Sequence, residues 1–209
     1  MTDDPNIREL LAQAGPALGP DWTTRRAEYR TLWPLLSRRN GFYAFAASLH
    51  VFPLGRPASA REMDIERWNS AGLWRGAYGP SIDGLIFFAE DVFGEQFAVD
   101  GVSVVRFNPE TGDIQRYAAG LDEWAMRVLD GPDYETGFGL ARQWERIHGT
   151  LEPGRRLLPE TPFVLGGGFT IHNLFDGDAI EGMRFRADLA QQVRDVPDGA
   201  AVRLVIPER

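Results

Sequence analysis

The apolar positions are spaced first as helices, then as short strands, then as helices again. Ile7, Leu10, Leu11 and Ala14 recur on one helical face, with Asp4 as N-cap, Pro5 at the first helical position and Gly15-Pro16 as the stop. After a Gly- and Pro-rich connection, Tyr29, Leu32, Trp33 and Leu36 share a second helical face. Pro34 should kink or restart that helix, because the residue before proline avoids the α region, and Asn40-Gly41 ends it. The run from Phe42 to Pro53 is apolar nearly throughout and reads as a buried segment, helix or strand. Ser59 to Asn69 reads as a short helix around Met63, Ile65 and Trp68.

Four strand-length runs follow: Leu85–Phe88, Gln96–Val99, Val102–Phe107 and Ile114–Tyr117, with turns at Asp100-Gly101 and Asn108–Gly112. Connections this short join only neighbouring antiparallel strands, so they predict a meander. Leu121, Trp124, Ala125, Val128 and Leu129 then form a helix closed by Gly131-Pro132, and Leu140, Ala141, Trp144, Ile147 and His148 form another. From Glu152 to Gly168 the chain turns Pro- and Gly-rich. It continues with a helix near Met183–Arg194, a turn at Pro197-Asp198-Gly199 and a strand Val202–Ile206. Strands in one block with helices on either side predict an α+β fold with a mainly antiparallel sheet.

Composition narrows the chemistry. The chain has 209 residues and no cysteine, which removes disulfides, thiolate nucleophiles and Cys-ligated metal centres. All 22 basic residues are arginine, so a P-loop with its lysine is impossible. The acidic start MTDDPNIRELL does not resemble a secretory leader, and no apolar run is long enough to cross a membrane, so cytoplasm is the expected location. A net charge of −8 disfavours nucleic acid and anionic membranes as partners. The charge is local: residues 80–135 hold twelve acidic and three basic side chains, a net −9, while the flanking parts are nearly balanced. The segment is either a solvated face or an electrostatic docking surface for a basic protein.

The sequence lacks the common catalytic patterns, and its nearest approaches to them read as structure. No G-x-S-x-G elbow, H-E-x-x-H or H-x-H occurs, and His50, His148 and His172 are widely spaced among apolar neighbours. Glu90-Asp91 reads as a loop and Asp122-Glu123 as a helix N-terminus. Asp178 with Glu181 reads as a helix cap rather than a calcium loop. Gly166-Gly167-Gly168 reads as a bend between strands. Trp33, Trp124 and Trp144 fall on apolar helix faces, and Trp68 and Trp74 read as core more readily than as interface anchors.

The stretches Leu35–Phe45, with Asn40-Gly41, then Leu49-His50-Val51-Phe52-Pro53 and Trp68-Asn69 resemble bacterial members of the SUKH superfamily, which includes the yeast Smi/Knr regulators. Phe93–Phe97 with Asp100, and the acidic helix around Trp124, fit the same pattern. The resemblance covers roughly residues 30–150, and residues 157–206 look like the C-terminal extension of a longer bacterial subgroup. Residues 1–20, outside the resemblance, read as an N-terminal helix and linker; the resemblance implies 21–150 as the SUKH-like domain and 151–209 as an extension packing on it in a single compact domain. It further implies a non-enzymatic immunity protein that neutralises a polymorphic toxin, with no cofactor and no metal. On that reading Asp83, Glu90, Asp91, Glu95, Asp100, Glu110 and Asp113 are the expected contacts to a basic cognate toxin. The rival readings are a regulatory or scaffold protein with an apolar groove for a cellular protein or peptide, and an enzyme with two carboxylates of separated pKa in one cleft.

Overall fold

Short connections leave the chain no room to cross over, and β3 (Ile86–Glu90), β4 (Gln96–Asp100), β5 (Ser103–Phe107) and β6 (Ile114–Ala118) pair as the expected meander. The computed structural model describes residues 4–23, 26–197 and 199. Two further strands, β1 (Phe42–Ala44) and β2 (Leu49–Val51), extend the meander into a six-stranded antiparallel sheet in chain order. The apolar run 42–53 is therefore a strand pair. Phe45, Ala46 and Ala47 turn it with φ of 54°, 54° and 60°, a left-handed conformation costing L-residues about 1–2 kcal/mol each. Packing of Phe45 against Phe138 and an Arg156 hydrogen bond to the Ala47 carbonyl hold the turn in place.

Helices cover the sheet. Leu121, Trp124, Ala125 and Val128 of α4 (Leu121–Asp130) are buried, with Trp124 edge-on to Phe88 and Phe97 at 5.1 and 5.8 Å. Onto α4 packs α1 (Pro5–Ala12), whose Ile7, Leu10 and Leu11 join the main core. Asp4 stands at its N-cap position, as expected, but makes no side-chain capping bond. Asp122 of α4 instead accepts from the Asn6 and Ile7 backbone N–H groups at 3.0 and 3.1 Å and from the Asn6 side chain at 2.7 Å. An Asp122→Ala variant should lose about 1–2 kcal/mol, the range of a helix cap, and hydrogen exchange should show α1 opening first.

The second periodic run divides at Pro34 as expected, into a 3-10 turn, Ala27–Leu32, and α2 (Trp33–Leu36). The helix expected over 59–69 shrinks to α3 (Ile65–Trp68). The Asp64 side chain caps its start, and the Asn69 amide, bonded to the Ile65 and Phe87 carbonyls, ends it. Trp68 and Trp74 are both core. Gly131-Pro132 closes α4 but also starts α5 (Pro132–Thr136), with proline at its first position, and α6 (Phe138–His148) follows.

The extension holds more strand than its composition suggested. β7 (Arg155–Pro159) and β8 (Leu174–Asp178) form an antiparallel hairpin, and the glycine run lies in its loop. Asp178 caps α7 (Ala179–Val193), accepting from Ile180 and Glu181 N–H. Ala179, Met183, Ala187 and Ala190 of that helix enter the main core, so sheet, helices and extension form one domain. The expected turn residue Asp198 and strand Val202–Ile206 lie outside the described residues. Among the described residues, no helix is long and apolar enough to cross a membrane.

Candidate functional site

Strand alternation decides where the acidic residues go. Neighbouring residues of an extended chain point to opposite faces, and Glu90, the last residue of β3, and Asp91, the first beyond it, line different cavities. Glu90 is 2% exposed. It accepts from Arg156 Nε at 2.8 Å, from the Gln96 amide at 3.1 Å, and meets His50 Nδ1 at 3.1 Å. Burial alone would raise its pKa, but Arg156 and His50 hold it at about 2. His50 lies between Glu90 and Glu62 and stacks on Tyr43 at 4.4 Å, so it belongs to a buried polar network within the core.

Asp91 belongs to a second network. Arg106 of β5 donates to Glu95 at 2.5 Å, to Glu135 at 3.0 Å and to Asp91 at 3.2 Å. Burial disfavours the Arg106 charge, but the Asp91 and Glu95 carboxylates more than offset that and raise its pKa. Burial first, and the Glu95 carboxylate second, push Asp91 up to about 7. Three carboxylates around one guanidinium leave the group anionic once all are ionised. It sits at one side of a cleft of about 630 Å³ lined by Asp91, Glu95, Arg106, Asp113, Asp133 and Tyr134, with Phe93, Leu140 and Phe169 as apolar wall. Tyr134 is 85% and Phe169 58% exposed.

The seven carboxylates expected to face a partner therefore do not form one surface. Glu90, Asp91 and Glu110 are buried at 2%, 1% and 3% exposure and are corrected to interior positions, each removed from water by the sheet or the extension packed over it. Asp83 and Asp100 are exposed but lie outside the cleft, whereas Asp91, Glu95 and Asp113 come together in it. The reading of Glu90-Asp91 as a loop holds for Asp91, which opens the turn to β4, and is corrected for Glu90, which ends a central strand with its charge satisfied by Arg156 and His50. Asp133, Tyr134, Glu135, Arg106 and Phe169 were missed as site residues. The available signal was Arg106, an arginine on a strand otherwise apolar at Val104, Val105 and Phe107 and flanked by acidic sequence.

No family model and no curated protein matches the chain. Among solved structures, the crystal structure of Atu4351 from Agrobacterium tumefaciens is similar, with a TM-score of 0.51 at 12% identity over 90% of this chain and 88% of that one. The likeness is one of fold. Chemistry must come from the side chains themselves. Glu90 and Asp91 have the separated pKa values an acid–base pair needs, yet they face different cavities. Among the described residues, no cluster of three or more His, Asp or Glu is placed to hold a metal ion. What the cleft can do is bind a cation: carboxylates supply charge, and exposed rings supply faces over which a guanidinium or ammonium group rests.

Proposed function

We propose that the protein is a non-enzymatic cytoplasmic binding protein of the SUKH type, an immunity protein that neutralises a basic toxin through the acidic, aromatic-walled cleft. The observation that carries this reading is the juxtaposition of Glu95, Asp113 and Asp133 with the exposed rings of Tyr134 and Phe169 in one cleft. Exposed aromatic residues supply affinity by burying area at low entropic cost, while carboxylates speed encounter and select the partner. The −9 segment supports the same reading at longer range.

Expressing the neighbouring gene with and without this chain tests the class. A toxic neighbour rendered harmless supports it, and a harmless neighbour that does not bind overturns it. The surface is tested with Asp113→Asn/Asp133→Asn, both exposed, rather than with the buried Glu90 or Asp91. Association with the basic partner should slow about tenfold at low ionic strength, with the difference shrinking as salt screens it. Equal on-rates would place the docking surface elsewhere. Affinity for the cationic partner should also rise between pH 6 and 8, as Asp91 ionises through about 7 and adds negative charge behind the cleft.

A further inference from the structure

The acidic cleft is one end of a longer seam. A second cavity, about 270 Å³, shares Phe93, Glu95, Asn108 and Phe169 with the cleft, and a third, about 470 Å³, lies between the β7–β8 hairpin and α7. The second and third share Glu110 and Arg186. Exposed apolar groups concentrate here. Of nine large hydrophobic side chains counted as exposed among the described residues, Tyr134, Val164, Phe169, Phe175 and Phe185 border these three cavities.

Glu110 and Arg186 are the unusual pair in this seam. Glu110 is 3% exposed; Oε2 accepts from the Val164 N–H at 2.8 Å, while Oε1 is buried without a hydrogen-bond partner. Burial raises its pKa. Arg186 is 4% exposed and donates to the Gly182 and Phe93 carbonyls, with Nη2 reaching only the Met183 sulfur at 3.5 Å. Among the described residues no carboxylate comes within ion-pair distance of it. A buried acceptor lacking a donor is costly, and an arginine has five N–H groups to satisfy. Both side chains line the second and third cavities, so the seam carries an acceptor and a cationic donor beside its aromatic rings, as a polypeptide main chain requires of its host: an N–H to be accepted and a carbonyl to be donated to.

We infer that this seam binds an extended peptide segment, its backbone amide bridging Glu110 and Arg186, an apolar side chain on Phe175 and Phe185, and a basic side chain in the acidic cleft. The occupant is a basic-apolar strand of a partner protein, chosen over a purely apolar one because the cleft continuous with the groove is anionic. This inference rests on the proposed partner class and specifies how that partner is held. Main-chain recognition tolerates many sequences, so a generic peptide of the right pattern is itself bound.

The probe is a fluorescein-labelled nonapeptide of alternating arginine and leucine, titrated into the full chain by fluorescence anisotropy beside nona-arginine and an analogue N-methylated at its backbone amides. The alternating peptide should bind, and both controls should bind at least about tenfold more weakly, the loss expected when a buried hydrogen bond or an apolar anchor is removed. Phe175→Ala, on an exposed ring, and Glu110→Leu should weaken it to a similar degree, and the first keeps the test valid should the second misfold. Absence of binding up to millimolar peptide, or equal binding by the N-methylated analogue, overturns the inference. Loss confined to Asp113→Asn/Asp133→Asn leaves the cleft reading standing and overturns the groove. Loss confined to Phe175→Ala and Glu110→Leu does the opposite.

Discussion

Replacing Arg156 with methionine is expected to lower the free energy of unfolding by about 3–5 kcal/mol, the cost of leaving a buried charge without its partner. The measurement is a guanidinium titration in which the midpoint falls at unchanged slope. Arg156 is 2% exposed, bridges Glu90 at 2.8 Å, bonds the Ala47 carbonyl and lies 5.7 Å from the Tyr43 ring centroid. It thereby ties β7 of the extension to β3, to the strained β1–β2 turn and to β1. The pH dependence gives a second signature. With its folded pKa held near 2 against an ordinary 4.5, Glu90 contributes stability that is complete above about pH 4.5 and is lost as pH falls toward 2. In the variant, burial dominates and the Glu90 pKa moves above its ordinary value, so protonation relieves the penalty. The gap between variant and wild type should therefore narrow from pH 5 to pH 3. A Glu90→Gln/Arg156→Met double variant should recover much of the loss, since neither charge is then stranded.

How far the sequence revealed this arrangement differs by element. The meander was legible because its turns are short and its strands of uniform length, and α4 because its apolar face is unambiguous. The hairpin β7–β8 was not. Arg155-Arg156-Leu157-Leu158-Pro159 puts two arginines and a proline in a strand, and local propensity reads such a run as connection. It forms because Arg156 finds Glu90, a partner 66 residues away that no local pattern exposes. The Asp122 cap on α1 is likewise invisible, since donor and acceptor lie more than a hundred residues apart. For the site, segment charge points to the elements that line the acidic cleft but treats every carboxylate alike. Burial separates them: Glu90 and Asp91 meet internal arginines, whereas Asp113 and Asp133 remain exposed beside Tyr134 in the cleft. Phe163 and Phe169, which stack on each other at 3.9 Å and meet Phe93 edge-on at 5.6 and 5.3 Å, come from a loop read only as a glycine bend.

Asn40→Ala is expected to cost about 3 kcal/mol, and Gly41→Ala a comparable amount, although Asn40-Gly41 reads in sequence as a simple helix stop. Asn40 is 3% exposed; its amide donates to the Pro20 and Leu54 carbonyls at 2.7 and 2.8 Å and accepts from the Leu54 N–H at 2.8 Å. Three backbone groups thus depend on one side chain, and each buried group left unpaired costs about 1–3 kcal/mol. Gly41 has a φ of 71°, and an added Cβ would lie 2.5 Å from the Pro53 backbone nitrogen, so the chain itself must shift; the left-handed conformation alone costs a non-glycine residue about 1–3 kcal/mol. Asn40→Asp separates the causes. It keeps an acceptor for the Leu54 N–H but turns a carboxylate toward two carbonyl oxygens, so it should destabilise nearly as much as alanine at pH 7 and recover on acidification, when the protonated acid donates again. A pH-independent loss in Asn40→Asp would mean that the space filled by the amide, rather than its hydrogen bonds, holds the Pro20 and Leu54 segments together. Combining Asn40→Ala with Gly41→Ala should cost less than the two single losses added, because both act on the same packed junction between the Leu18–Pro20 connection and Pro53-Leu54.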